Sequence, residues 1–354
     1  MNYYPLLKPL LFCLEPEKAH NLSIIALKNG LVPKPKIYNY PSLRNKVFDF
    51  DFLNPVGLAA GYDKNAETFN KLDNFGFGFV ECGTVTPKAQ SGNPKPRLFR
   101  LKEDHAVINR LGFNNCGSDF FLKNVQNKRS SKQILGINIG KNKDTIDEVS
   151  DYLIGLEKFY QFASYITINI SSPNTANLRN IQKADILSSF LKNIGQKKEE
   201  LNRKYQKNVP ILLKIAPDLS QDEIIEIADI ILKQKISGVI ISNTTINFKD
   251  LLSSPFKNEI GGLSGKPLFK PSNEVLKIFY RETKGQIPII GVGGISNGQD
   301  AYEKIKLGAS LVQLYSALVY DGFYLVEKIK KELNDLLKKD GFSNINQAIG
   351  INNK

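Results

Sequence analysis

Five asparagines stand at, or just over, the ends of short apolar runs: Asn109, Asn138, Asn169, Asn174 and Asn243. Asparagine presents a donor and an acceptor together, which suits a flat ring of alternating N–H and C=O groups such as a pyrimidine or a flavin. Turn chemistry is the ordinary use of this residue, but it does not explain five in equivalent places. Lys64 and Lys214 follow or interrupt apolar runs in the same way. A cation at the pyrimidine edge of a flavin favours the negatively charged reduced ring, and a second cation can hold a substrate carboxylate. Ser172, in "NISSPNT", is the candidate base. A serine accepts a carbon-bound proton only in a sealed site, and the 173–177 loop is long enough to close over it. No histidine is placed to help Ser172, which argues against a hydrolase triad. The residue types alone leave Ser172 open between a base and a structural hydroxyl.

A second group of residues is suited to an anion. Gly293 and Gly294 in "GVGGIS", then Tyr315 and Ser316 in "QLYSA", can offer backbone N–H groups to a phosphate. Glycine lets the backbone approach a ligand closely, and a "GGLSGKP" loop at 261–267 precedes the pair. A monophosphate such as FMN fits better than a dinucleotide, since no G-x-G-x-x-G opens a helix.

Positioning these residues requires a repeated unit. Short β-branched runs recur at 55–60, 77–84, 134–139, 165–170, 210–215, 238–242, 288–292 and 311–314. Most are near-continuously apolar, as expected of strands buried on both faces. Amphipathic helical stretches lie between most of them, such as "SQDEIIEIADIILKQK", where Ser220 and Glu223 form a capping box. Eight such alternations without an internal linker predict a closed (β/α)8 barrel of the TIM type, with an open doubly wound sheet as the second choice. The polar residues then collect at the carboxyl ends of the strands, where barrel enzymes do their chemistry. The long section between the second and third strands predicts a β-rich excursion over the barrel mouth.

Ahead of the barrel (41–354) a separate helical unit is expected over 1–40. Leu6, Leu7, Leu10, Leu11 and Leu14 recur at helical spacing, Leu22, Ile25, Ala26 and Asn29 continue a second pattern, and Gly30 stops it. Such a unit can pack on the barrel wall, or it can serve as an interfacial membrane anchor and a tunnel for a lipid-soluble substrate.

The bulk properties exclude several classes. No apolar run approaches the length of a membrane span, and Lys8, Pro9 and Glu15 break the pattern of a signal peptide. Cys13, Cys82 and Cys116 have no paired spacing and His20 and His105 are the only histidines, so no disulfide framework, metal centre or iron–sulfur cluster is expected. A reducing, cytosol-facing location follows. The net charge of +13 comes from lysines scattered over many faces, which argues against nucleic acid but leaves room for attraction to an anionic membrane surface.

At these residues the chain resembles the dihydroorotate dehydrogenases over nearly its whole length. The segments that carry the resemblance are "GLAAGYDKN", "GTVTPKAQSGNPKPRLFRL", "INRLGF", "GINIGKN", "NISSPNT", "LLKIAPD", "GGLSGKPL", "GVGGI" and "YSALVY". The opening "YYPLLKPLLFCLEPEKAH" resembles the N-terminal extension of the quinone-dependent class (class 2), whose base is serine, as at Ser172. The resemblance implies an FMN site of Ala60, Gly61, Tyr62, Asp63, Lys64, Thr84, Asn138, Asn169, Lys214, Ser242, Gly265, Gly294, Tyr315 and Ser316. Orotate would be held by Lys64, by Asn109, Arg110, Leu111, Gly112 and Phe113, and by Asn169, Asn174, Asn243 and Thr244. His20 and Arg100 match positions near the quinone.

The implied activity is oxidation of dihydroorotate to orotate in pyrimidine biosynthesis, with a membrane quinone as final acceptor. The implied location is peripheral, on the cytoplasmic side of the cell membrane. No iron–sulfur partner subunit is expected, and a monomer is. Tyr62 stands where Leu or Phe is more usual, Ser242 where Thr is common, and Cys82 in an ordinarily aliphatic slot. The rivals are the soluble class, which usually has cysteine as base, an RNA-binding FMN barrel of the dihydrouridine synthase type, and a non-catalytic phosphate-binding barrel. The N-terminal helices and Ser172 speak against the first. The second needs a cysteine acid and a tRNA-binding appendage, and the third leaves the asparagines unexplained.

Overall fold

The computed structural model describes residues 2–130, 133–248 and 252–353. Helices α1 (Tyr4–Cys13) and α2 (Pro16–Lys28) come first, then a hairpin of Asn45–Val47 and Phe50–Phe52. Eight parallel strands follow: β1 Val56–Leu58, β2 Phe79–Val85, β3 Leu135–Ile139, β4 Tyr165–Asn169, β5 Ile211–Ile215, β6 Gly238–Ile241, β7 Ile289–Val292 and β8 Ala309–Leu314. Each pairs with its neighbour in the chain, and β8 returns to β1 through Val312↔Val56, Gln313↔Gly57 and Leu314↔Leu58. That pairing closes the barrel and rules out the open sheet.

Apart from the half-buried Val292 and Ser310, the strand residues are buried because helices cover their outer faces. The helix Gln221–Lys233 is typical: Ser220 Oγ accepts from the Glu223 N–H at 3.3 Å, and the Glu223 carboxylate accepts from the Ser220 N–H at 2.8 Å. Its Ile224, Ile227, Ala228 and Ile231 then face the barrel wall.

Side chains alternate across each strand, so the barrel interior is layered. At its base Phe79, Tyr165, Leu212, Ile240, Ile290 and Leu311 pack together with Val47 and Phe52 of the hairpin. Two residues further along the same strands come Glu81, Thr167, Lys214, Ser242, Val292 and Gln313. One period therefore carries the interior from an apolar plug to a polar floor under the mouth.

The section between β2 and β3 contains the antiparallel strands Leu98–Leu101 and Ala106–Asn109, followed by the helix Gly117–Lys128. The 261–267 stretch, expected as a loop, supplies a third strand: Gly262–Gly265 pairs with Ala106–Asn109, with Gly262 opposite Asn109. Gly265 takes a left-handed φ of 100°, and a Cβ there would lie 2.5 Å from the His105 carbonyl oxygen.

Candidate active site

A cavity of about 610 Å³ runs from α1 and α2 into the barrel mouth. Its inner wall carries Ala60, Gly61, Thr84, Asn169, Ser172, Lys214 and Ser242, all at carboxyl ends of strands. The excursion adds Asn109, Leu111, Gly112 and Phe113, the loops after β4 and β6 add Asn174, Asn243 and Thr244, and Gly265, Gly294, Tyr315 and Ser316 close the far side. Its outer part is lined by Leu7, Leu11, His20, Ala26, Tyr62 and Arg100.

Three expected contacts stand elsewhere. Asp63 is 1% exposed and accepts from the Glu67 and Thr68 N–H groups, both at 2.7 Å, so it braces the loop that presents Lys64. Asn138 lies one layer behind the wall: its Oδ1 accepts from Thr84 Oγ1 at 2.6 Å and from Asn169 Nδ2 at 3.2 Å, and its Nδ2 donates to Glu81 at 2.7 Å. The Arg110 guanidinium turns outward to Glu259 at 2.7 Å and the Ile260 carbonyl at 2.9 Å.

The asparagines are hydrogen-bonded in two groups, Asn109 with Asn174, and Asn138 with Asn169 and Asn243. Asn174 Nδ2 donates to the Asn109 carbonyl at 3.1 Å, and Asn243 Nδ2 donates to Ser171 Oγ at 3.0 Å and Asn169 Oδ1 at 3.2 Å. Ser172 is buried among them, its Oγ accepting from the Asn174 N–H at 3.3 Å. The Thr244 Oγ1 is buried without a partner among the described residues, a position that asks for a ligand group.

Burial shapes the electrostatics. Lys64 donates to Asn114 Oδ1 at 2.6 Å. Its pKa falls to about 7 because it is enclosed and because the Arg97 charge repels its own, with Glu17 opposing. Burial also lowers Lys214, against the pull of Glu81. His20 is lowered to about 4 by burial and then by Lys64, so it is neutral at physiological pH.

At the outer end three rings meet. His20 lies edge-on to Tyr62 at 5.3 Å between centroids, Tyr62 to Tyr315 at 5.6 Å, and the Tyr315 hydroxyl is 3.4 Å from His20 Nδ1. Tyr62 is therefore not a passive replacement for Leu or Phe: its hydroxyl is 3.0 Å from Ser23 Oγ of α2. Arg100 reaches the cavity wall, but its guanidinium donates to the last carbonyls of α1, to Leu11 at 2.9 Å and Phe12 at 3.3 Å. It closes the end of that helix.

A family model described as dihydroorotate dehydrogenase matches residues 42–337. The chain belongs to the dihydroorotate dehydrogenase family. It is 47% identical over 352 residues to the dihydroorotate dehydrogenase (quinone) of Azorhizobium caulinodans, covering 99% of each chain. To that of Parvibaculum lavamentivorans it is 48% identical over 351 residues, again 99% of each. Among solved structures, the Eimeria tenella dihydroorotate dehydrogenase in complex with ferulenol superposes with a TM-score of 0.91 at 40% identity, covering 96% of both chains. The soluble-class and RNA-binding readings are not favoured by these relatives.

Several residues of this dihydroorotate dehydrogenase site escaped the sequence reading. Arg179 donates to the Ser171 carbonyl at 3.0 Å, to Asp218 at 2.7 Å and to the Thr244 carbonyl at 2.9 Å, tying the loops after β4, β5 and β6 together. Glu81 is fully buried and accepts from Asn138, from the Tyr165 hydroxyl at 3.0 Å and from Gln313 Nε2 at 3.0 Å. A lone carboxylate inside an apolar strand was a readable signal for Glu81. Arg179 had none.

Proposed function

We propose that this chain oxidises (S)-dihydroorotate to orotate, with FMN as hydride acceptor and a membrane quinone as final electron acceptor. The observation that carries this reading is the single cavity joining Ser172 and its asparagines to the apolar space between α1 and α2. Such a space suits a lipid-soluble reactant, and the polar inner end suits a flat anion.

The residues fit a flavin monophosphate. At Gly294 a Cβ would lie 2.5 Å from Phe269 Cβ and 2.6 Å from its backbone N, so the Gly293–Gly294 loop sits directly on the start of the preceding helix with its other side open to the cavity. Bound there, FMN would supply the hydride acceptor and the two-electron redox chemistry needed between dihydroorotate and a quinone. Lys214 supplies positive charge at the ring. Lys64 and the unpartnered Thr244 Oγ1 meet the substrate, with Lys64 opposite its carboxylate. Asn109, Asn169, Asn174 and Asn243 orient its ring, offering Nδ2 to carbonyls and Oδ1 to N–H groups. Ser172 Oγ would take the proton from carbon 5 as its own hydroxyl proton passes to a water molecule in the cavity, with the 173–177 loop limiting access of bulk water.

The chain is also proposed to sit peripherally on the cytoplasmic face of the cell membrane, as a monomer. Leu6, Leu10 and Leu31 are 75%, 69% and 72% exposed around the cavity entrance, which suits shallow insertion into lipid. Among the described residues no helix is long and apolar enough to cross a membrane.

The test is anaerobic. The purified protein's flavin spectrum is recorded, dihydroorotate is added, and a quinone follows. Bleaching by dihydroorotate and recovery with quinone are expected. A yellow protein that dihydroorotate cannot bleach removes the substrate assignment, and a colourless one that takes up no FMN removes the cofactor.

A further inference from the structure

Two helices follow the phosphate-suited loops on the outside of the barrel: α3 (Phe269–Glu282) precedes β7 and α4 (Gly298–Lys306) follows it. Lys304, on α4, is 0% exposed. Its Nζ donates to Ser272 Oγ and to Asn273 Oδ1, both at 2.7 Å, and lies 5.2 Å from the centre of the Phe269 ring. All three partners are neutral and belong to α3. Neither acidic side chain of its own helix pairs with it directly: Asp300 accepts from Ser296 Oγ at 2.7 Å, and Glu303 reaches it only through Asn273, accepting from Asn273 Nδ2 at 3.2 Å. A buried ammonium among neutral groups is costly unless an anion comes to meet it. Burial accordingly lowers its pKa to about 7, with Glu303 and Asp300 opposing.

The hydrogen bonds lead from this charge to the loop. Ser272 Oγ, which accepts from Lys304, is also 3.3 Å from the Gly293 carbonyl oxygen and 3.0 Å from that of Phe269. In a planar trans peptide the next N–H points opposite to the carbonyl. With the Gly293 carbonyl turned toward Ser272, the Gly294 N–H is turned the other way, toward the cavity that both glycines line. Space confirms the contact: a Cβ at Gly293 would lie 2.9 Å from Ser272 Oγ.

We propose that Lys304 is a positioning residue for the cofactor's phosphate, holding the Gly293–Gly294 peptide through Ser272 and supplying the positive charge behind it, so that the site prefers FMN to phosphate-free riboflavin. The inference rests on the FMN reading above. It gives Lys304 no contact with substrate or with the reacting ring.

The experiment is to dialyse purified holoenzyme against graded FMN or riboflavin and read bound flavin by absorbance, for wild type, Lys304→Met and Ser272→Ala. Lys304→Met is expected to weaken FMN by about ten- to a hundredfold, to leave riboflavin unchanged, and to shift the phosphorus resonance of bound FMN. Ser272→Ala is expected to weaken FMN selectively and by less. Equal weakening of both flavins, or of neither, assigns Lys304 to packing and overturns the inference. If Lys304→Met does not accumulate as folded protein, the same comparison on Ser272→Ala decides: selective loss supports the proposal and unselective loss overturns it. A wild type that holds riboflavin as tightly as FMN defeats the Lys304 inference alone, and one that holds neither defeats the cofactor reading with it.

Discussion

Ser172 is a weak base with no histidine or carboxylate hydrogen-bonded to it among the described residues, so its effect depends on enclosure. Ser172→Ala is expected to slow bleaching of the flavin by dihydroorotate about 10²- to 10⁴-fold at neutral pH, with orotate still binding, as stopped-flow absorbance will register. Lys64 carries a pH dependence whose sign follows from its depressed pKa. In the ligand-free protein it is mostly neutral above about 7, while in the unfolded chain it stays charged to about 10.5. Its enclosed ammonium therefore weighs against the fold below 7, and that penalty lifts as pH rises from 7 to 10.5. Ligand binding runs the other way, because a carboxylate needs the ammonium. Orotate affinity should be full below about 7 and weaken by up to about tenfold per pH unit above it, with protons taken up on binding. Spectral titration across that range tests this, and Lys64→Met should flatten the profile as well as lower it.

At the scale of elements, α2 is joined to the rest of the chain by the exposed Lys28–Glu67 pair, by the Ser23–Tyr62 contact and by one buried ion pair. Glu17 of α2 accepts from Arg97 Nη2 at 2.6 Å and Nε at 3.0 Å, with both side chains largely buried. Glu15 caps the same helix, accepting from the Glu17 and Lys18 N–H groups at 3.0 and 2.9 Å. Glu17→Ala leaves the Arg97 guanidinium buried and unpaired, a cost of about 3–5 kcal/mol. The expected result is a lower Tm and a raised KM for quinone, while the rate of flavin reduction by dihydroorotate changes little. Equal damage to both half-reactions would mean that α2 supports the barrel mouth as a whole.

For the whole molecule, the apolar rim of the N-terminal unit and the net charge of +13 act together. Deleting residues 1–40 is expected to abolish co-sedimentation with vesicles of anionic lipid and to depress reduction of a long-tailed quinone, while bleaching by dihydroorotate survives. A truncated protein that reduces long-tailed quinone as well as the full chain would show that the cavity between the helices is not the quinone route.

The sequence by itself determined the repeated unit. All eight strands lie within two residues of their expected bounds, and α1 and α2 stand where the leucine spacing put them. Hydrophobic period and capping chemistry are local, so they are legible in one dimension. The strand-end rule then brought Ser172, Lys64, Lys214 and four of the five asparagines to one cavity wall. Tertiary structure decided the rest. Closure through β8 and β1, the third strand at Gly262–Gly265 and the outward turn of Arg110 depend on which distant segments meet. So do the Arg179 clamp and the pairing of Glu17 with Arg97, which lies 80 residues away. A pairing of that kind leaves no periodic mark on either segment, because each partner alone is an ordinary charged residue, and only the packing of α2 against the excursion brings the two charges together and takes them out of water.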